Sequence, residues 1–304
     1  MQTHPVTTVP RYRLLALDLD GTLLDSRGKV SERNLAAVRR ARQAGLIVTV
    51  CTGRGLVECR HVIDAIGQVD PVVVAGGAIV ACPVTSRTLH RFAVDRELVA
   101  HMTARVLEHK HPVLILKDPL EAGYDYLVIV GEERLELDPV TLWWFEHMKV
   151  KVRYAQRLDE DAHPEHTVRV GACGLSGALA TLKHDLAAGL AGRAQMHHFP
   201  AVVAPEHART LPDGQSLHIL EAFDRSADKW SAIGVLAAAS AIRPDQIVAI
   251  GDEINDVPMI RGAGLGVAMG NAVPAVRDVA DRHTLRNDED GVAHAIDQVL
   301  SGVW

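Results

Sequence analysis

The sequence predicts an α/β protein: a parallel sheet with helices on its faces, interrupted by a large inserted α+β block. Two observations carry that prediction. Short apolar runs alternate with helical segments from Leu14 to about Cys82, and again from Leu217 to the end of the 304-residue chain. Strand–helix–strand–helix–strand at this spacing implies parallel pairing with right-handed crossovers. Between these two stretches the alternation breaks down into a mixed block that behaves as a separate domain. The expected organisation is therefore a polar tail at 1–10, an α/β core built from 11–82 and 216–304, and an inserted α+β domain at 83–215.

Leu14–Leu24, LLALDLDGTLL, opens the core. Its apolar residues form a buried strand that runs into Asp18, Asp20 and a Gly21-Thr22 turn. Side-chain alternation along the strand is expected to aim both aspartates to one side at its carboxyl end. Ser31 is an N-cap candidate for a helix to about Ala44, with Gly45 stopping it. Leu46–Cys51 is a second strand ending in Thr52-Gly53-Arg54. A helix to about Ile66, a strand at Val72–Ala75 and a Gly76-Gly77 turn follow. Within the insert the pattern predicts helices near Asp95–His109, Pro139–Met148 and Ser176–Ala188. Strands are expected near Val113–Leu116, Tyr124–Val130, Thr167–Cys173 and Ala194–Phe199. The core is expected to resume with a strand at Leu217–Phe223 and a helix from Asp228-Lys229 to about Ala241. Ile247–Ile250 is then a strand leading to Gly251-Asp252-Glu253-Ile254-Asn255-Asp256. A helix from Pro258, a strand at Leu265–Met269 and helices near Pro274–Asp281 and Gly291–Leu300 complete the chain.

Composition narrows the function. Hydrophobic residues make up 48% and charged residues 23%, ordinary values for a globular protein. A net charge of −6 and only 4% aromatics argue against a nucleic-acid partner. No apolar run is long enough to cross a membrane, and residues 1–10 lack the apolar core of a secretion signal. The four cysteines, Cys51, Cys59, Cys82 and Cys173, have no CxxC spacing, which suits a reducing, cytoplasmic setting. Histidine pairs do not suggest a metal centre: His197 and His198 are adjacent and face opposite sides of a strand, and His101, His109 and His111 offer no HxxxH pair with a third ligand.

Four stations carry the chemistry. Asp18 and Asp20 are neighbouring carboxylates at a strand end, where repulsion calls for a hard cation or a shared proton. Thr52 and Gly53 offer a hydroxyl and a backbone N–H to a phosphate oxygen. Lys229 places a cation at a helix start, and the helix amino terminus adds its own positive potential. Gly251-Asp252-x-x-Asn255-Asp256 brings further carboxylates to another strand end. Each alone has an ordinary structural explanation: a capped turn, a surface lysine, an acidic helix start. In this order, at the carboxyl ends of a parallel sheet, they form a set that chance does not assemble easily.

With these residues in view, the sequence resembles the haloacid dehalogenase superfamily of phosphohydrolases over about 12–82 and 217–300. It is most similar to the Cof-type branch, whose type IIB cap is a large α+β insert. GLGVAMGNAVPAVRDVAD from Gly264 and NDEDGV from Asn287 fit that branch. The resemblance implies a Rossmann-like parallel core with an α+β cap. It further implies a Mg²⁺-dependent phosphatase acting on small phosphate esters through an aspartyl-phosphate, as a monomer or weak homo-oligomer without a nucleic-acid or membrane partner. Asp18 would be the nucleophile and Asp20 the general acid–base. Asp18, the Asp20 carbonyl and Asp252 would hold the metal, with Asp256 supporting them. Thr52, Gly53, Lys229 and Asn255 would bind the phosphate. The sequence departs from the branch at Trp230, usually a small residue, and at Gly76, usually asparagine. A phosphomutase with the same residues, and a non-catalytic phosphate-binding module, remain alternatives; a dehalogenase fits the carboxylate set less well.

Overall fold

The computed structural model describes residues 11–190, 192–201 and 214–304, so the expected tail at 1–10 lies outside the described residues. In chain order the strands are β1 (Leu14–Leu17), β2 (Ile47–Val50), β3 (Val72–Val74), β4 (Ile79–Ala81), β5 (Thr88–Arg91), β6 (Val113–Lys117) and β7 (Tyr126–Ile129). They continue as β8 (Val152–Ala155), β9 (Thr167–Leu175), β10 (Ala194–Pro200), β11 (Leu217–Asp224), β12 (Ile247–Gly251), β13 (Leu265–Ala268) and β14 (Arg282–His283).

Two compact units emerge. The first contains residues up to Thr52, Val62–Val73 and Ile233–Trp304. Its sheet runs β14-β13-β12-β1-β2, and every pair in it is parallel. All four residues of β1 are buried, which suits the continuous LLAL run of a strand covered on both faces. Leu17 is in register with Val50 and with Ile250, so β1, β2 and β12 end level with one another. The helix Glu32–Gln43 begins where Ser31 accepts a hydrogen bond from the Asn34 N–H at 3.1 Å, as the capping pattern predicts.

The second unit contains Gly53–His61 and Val74–Ala232. A six-stranded mixed sheet, β10-β11-β9-β6-β7-β8, forms its body. One face is covered by the helices Arg96–Glu108 and Ser176–Leu190. Leu179, Leu182, Leu186 and Leu190 recur at three- and four-residue spacing and pack with Leu98, Met102 and Val106 on Val170, Ala172, Leu220 and Ala222. Alternation puts Tyr126, Arg169 and Glu221 on the other face.

Three sequence expectations change. Leu217–Asp224 does not return the chain to the parallel core: it pairs antiparallel with both β9 and β10. Its apolar run marks a strand correctly, but an apolar run does not name a partner. Consequently 74–82 and 216–232 cluster with the second unit, beyond the expected insert of 83–215. Finally, β1 stops at Leu17, so Asp18 and Asp20 are not successive inward positions of a strand. Leu19–Leu23 forms a tight turn closed by the Leu24 N–H on the Leu19 carbonyl at 2.9 Å. Strands β4, β5, β8 and β14 were not expected; each has two to four residues, too few for a periodic signal.

Candidate active site

The level strand ends of the first unit create the site. The Asp18 N–H donates to the Ile250 carbonyl at 3.0 Å and the Cys51 N–H to the Leu17 carbonyl at 2.8 Å, carrying the parallel ladder one residue past each strand. Asp18, Thr52 and Asp252 thus leave neighbouring strands at one edge, where open parallel sheets bind ligands. Asp18 and Thr52 are buried at 5% and 1% exposure, and Asp256 is fully buried.

Carboxylate oxygens of Asp18, Asp252 and Asp256 all lie within 4.8 Å of one another. Asp252 is oriented from two directions: Thr22 Oγ1 donates to its Oδ1 at 2.7 Å and Asn271 Nδ2 reaches its Oδ2 at 3.3 Å. Asn271 also donates to the Gly21 carbonyl at 2.8 Å, tying the first acidic loop to the last. Gly21 is required here twice over. Its φ is +79°, and a Cβ at this position would land on the Asp252 carboxylate. Asp256 shapes its own loop by accepting the Asp252 and Glu253 N–H groups at 2.9 and 3.0 Å. Asn255 Oδ1 is buried without a hydrogen-bond partner, an acceptor aimed to receive a proton-bearing group.

The donor set is all oxygen and strongly anionic. It fits a hard divalent cation such as Mg²⁺ far better than a thiolate- or imidazole-seeking metal. Asp20 is outside the carboxylate cluster, half-buried in the Leu19–Leu23 turn.

The phosphate-binding candidates divide between the units. Thr52 belongs to the first; Gly53 and Lys229 belong to the second. Within the second unit, the segment after Thr52 is fastened by a buried polar network. Arg169 Nη1 donates to the Gly53 carbonyl at 3.0 Å and pairs with Glu221 at 2.7 Å. Its other arm donates to the Tyr126 hydroxyl. Glu58 accepts from the Gly55 N–H and from Trp144 Nε1, the latter at 2.7 Å. Arg54 lies over the Trp144 ring, 5.3 Å from its centroid. Burial pushes Glu221 upward in pKa against the pull of Arg169. Burial alone would lower Arg169, but Glu221, Tyr126 and Glu58 outweigh it and raise it.

Lys229 is buried at the first turn of the helix Lys229–Ala239, which Asp228 caps by accepting the Ser231 N–H at 2.8 Å. Gly77 lets this helix start come close: its φ is +103° and a Cβ would strike the Asp228 carbonyl carbon and oxygen. Trp230 is half-buried.

Asn271, Thr22, Arg169 and Glu58 had no role in the sequence reading. Asn271 sits inside the branch-typical run from Gly264, which was the available signal. Arg169 and Glu58 had none, because only the folded sheet brings them together. The buried thiols of Cys59 and Cys173, pushed up to about 12 by desolvation, exclude either as a nucleophile.

Residues 15–135 and 210–296 match the haloacid dehalogenase-like hydrolases. The phosphatase YwpJ of Bacillus subtilis is 29% identical over 95% of this chain and 100% of its own length. The 5-amino-6-(5-phospho-D-ribitylamino)uracil phosphatase YwtE of the same organism is 27% identical over 96% and 99%. Among solved structures, a haloacid dehalogenase-like hydrolase from Bacteroides thetaiotaomicron superposes with a TM-score of 0.76 at 25% identity, covering 95% of this chain and 99% of that one.

Proposed function

We propose that this chain, which belongs to the haloacid dehalogenase-like hydrolases and is a phosphatase of small phosphorylated substrates, works through a phosphorylated Asp18 and requires Mg²⁺. One observation carries the reading: Asp18, Asp252 and Asp256 converge at the carboxyl edge of a parallel sheet, with Thr22 and Asn271 fixing Asp252.

Asp18, Asp252 and the Asp20 backbone carbonyl would hold the ion, with Asp256 shaping the loop behind them. Once bound, the cation neutralises the carboxylates and the phosphoryl oxygens, so that an anion can approach Asp18. An Asp18 oxygen attacks phosphorus while the phosphorus–oxygen ester bond breaks, and Asp20 delivers its proton to the departing alkoxide. In the second half Asp20, now ionised, takes a proton from water. That water attacks the aspartyl-phosphate, releasing inorganic phosphate and restoring Asp18. Thr52, Gly53 and Lys229 take the phosphoryl oxygens, where donors fixed in advance stabilise the charge of the transition state. Asn255 Oδ1 accepts a hydrogen bond from a water at the phosphate.

The substrate class follows the relatives: sugar phosphates and phosphorylated cofactor precursors, the latter supported by the relative named for a phosphorylated ribitylaminouracil. A panel of such esters with Mg²⁺, scored for inorganic phosphate and for isomerised ester, tests the reaction type. Phosphate release in step with ester consumption supports hydrolysis; isomer formation without phosphate would establish a mutase instead.

A further inference from the structure

A second donor cluster lies in the second unit, on the turn that leads into β9. His163, Glu165 and His166 each offer a ligand atom, and these atoms lie within 4.8 Å of one another. Two imidazoles and a carboxylate form a borderline nitrogen–oxygen set, unlike the all-oxygen set at Asp18. We propose that His163, Glu165 and His166 bind a divalent transition-metal ion of the Zn²⁺ class, independently of the magnesium site.

The local geometry supports three ligands from four residues. Pro164–His166 is a 3₁₀ turn, in which side chains three apart eclipse one another. His163 and His166 accordingly stand on one side, their ring centroids 6.0 Å apart. Glu165 Oε1 is already 3.1 Å from His166 Nε2. The other ring nitrogen, His166 Nδ1, is buried and has no hydrogen-bond partner, which leaves it available as a ligand atom while Nε2 stays with Glu165.

The turn is held rigid from beneath. Lys117, fully buried, pairs with Asp161 and donates to the His163 carbonyl at 3.1 Å and to Thr167 Oγ1 at 2.7 Å. Asp161 also accepts the His163 N–H at 3.0 Å. The His166 carbonyl accepts from the Asp118 N–H at 2.8 Å. Holding ligands in place before the ion arrives lowers the ordering cost of binding. The competing contact is slight: Arg96 reaches Glu165 at 3.4 Å with both side chains largely exposed, a pair easily given up to an ion. Three protein ligands leave a fourth position for water.

The test uses the full-length protein in excess Mg²⁺, dialysed against Zn²⁺, with the visible spectrum of bound Co²⁺ as a second readout. One equivalent of Zn²⁺ and a tetrahedral Co²⁺ spectrum are expected. Glu165→Ala and His163→Ala should each weaken binding by more than ~100-fold, beyond the ~10–100-fold that outer-shell changes cost. Phosphatase turnover with Mg²⁺ should stay unchanged in both, and Asp18→Asn should keep the full equivalent of Zn²⁺. Glu165→Ala removes an exposed side chain, so it decides the matter even if a histidine variant fails to fold. Failure to bind one equivalent, or an equivalent that survives both substitutions, overturns the site.

Discussion

The two units solve opposite electrostatic problems. The first gathers carboxylates of one sign at the end of a sheet, where Thr22 and Asn271 orient Asp252 through hydrogen bonds that carry no charge of their own. The second buries charges of both signs in one closed network, with Arg169 between Glu221, Tyr126 and the Gly53 carbonyl. Carboxylates crowded at a strand end repel one another, which favours a hard cation among them. A balanced network needs nothing from outside and serves to hold backbone in place. The proposed chemistry thus draws on crowded like charges, whereas the Gly53 segment is held by paired ones.

Asp18→Asn breaks the first unit's side of that contrast most severely. A carboxamide does not attack phosphorus, so turnover should fall by ~10⁴-fold or more, the scale seen when a nucleophile is removed. Thermal stability measured without metal should hold or rise, because one of the crowded charges is gone. Retention of a tenth of wild-type activity would take the nucleophile role from Asp18.

Chelation separates the units directly. EDTA should eliminate activity and Mg²⁺ should restore it, whereas Ca²⁺, with its looser coordination, should restore it poorly. The unfolding midpoint should move little. Full turnover in metal-free buffer would show that the carboxylates manage without a cation.

Arg169→Met attacks the balanced network. It strands Glu221 in a buried position beside Glu58 and should cost ~3–5 kcal/mol in denaturant unfolding. Adding Glu221→Gln should recover part of that loss, since the two positions are coupled. A single-variant cost below ~1 kcal/mol would mean that the pair is solvated and does not hold the Gly53 segment.

Mild acid gives the smallest effect. His111, His197 and His198 all have lowered pKa values. Burial comes first in each case, assisted by His109 for the first, by Lys229 and Lys183 for the second and by His218 for the third. Each is held neutral in the fold and takes up a proton more readily once unfolded. Below ~6.5 the unfolded chain therefore binds more protons, and stability should decline as pH falls through that range, by ~1 kcal/mol or less per group. His197→Gln should flatten the slope. Stability that rises between pH 7 and 5.5 would contradict the assignment; the upward shifts of Asp125 and Glu221 act in that opposite sense nearer the carboxylate range.

How much of this could be read in the chain depends on the range of the interaction. Ser31 and the helix behind it were legible because a cap is a local matter of three residues. The pairing of the two acidic stations was legible because Asp18 and Asp252 follow strands that lie side by side in one parallel sheet, whatever lies between them. The partner of β11 was not, since a short apolar run reads the same in either sheet. The turn at Leu19–Leu23 was hidden by the apolar residues flanking it, which extend the appearance of β1 past its end. Glu58, Trp144 and Arg169 are separated by up to 111 positions, and no periodicity links them. The HPEH turn at His163 carries no strand or i, i+4 helix signature, because a 3₁₀ turn brings i and i+3 together.

The register of β1 has a consequence for the order of events during synthesis. Its neighbour β12 is made some 230 residues later, the same separation that Thr22 and Asp252 span. A ribosome that has released β1 and β2 has therefore produced a two-stranded parallel ribbon with an unfilled edge, and such ribbons do not persist in water. The intervening segment has an apolar core of its own and can close while the first strand waits. Chain length then adds little to the delay in equilibrium terms: stretching a loop from ten residues to about two hundred is just over four doublings, or ~2.6 kcal/mol of closure entropy. The larger exposure is kinetic. Until β12 emerges, LLAL presents an unpaired apolar strand to any passing edge, and a chain stopped short of residue 247 has no means of covering it.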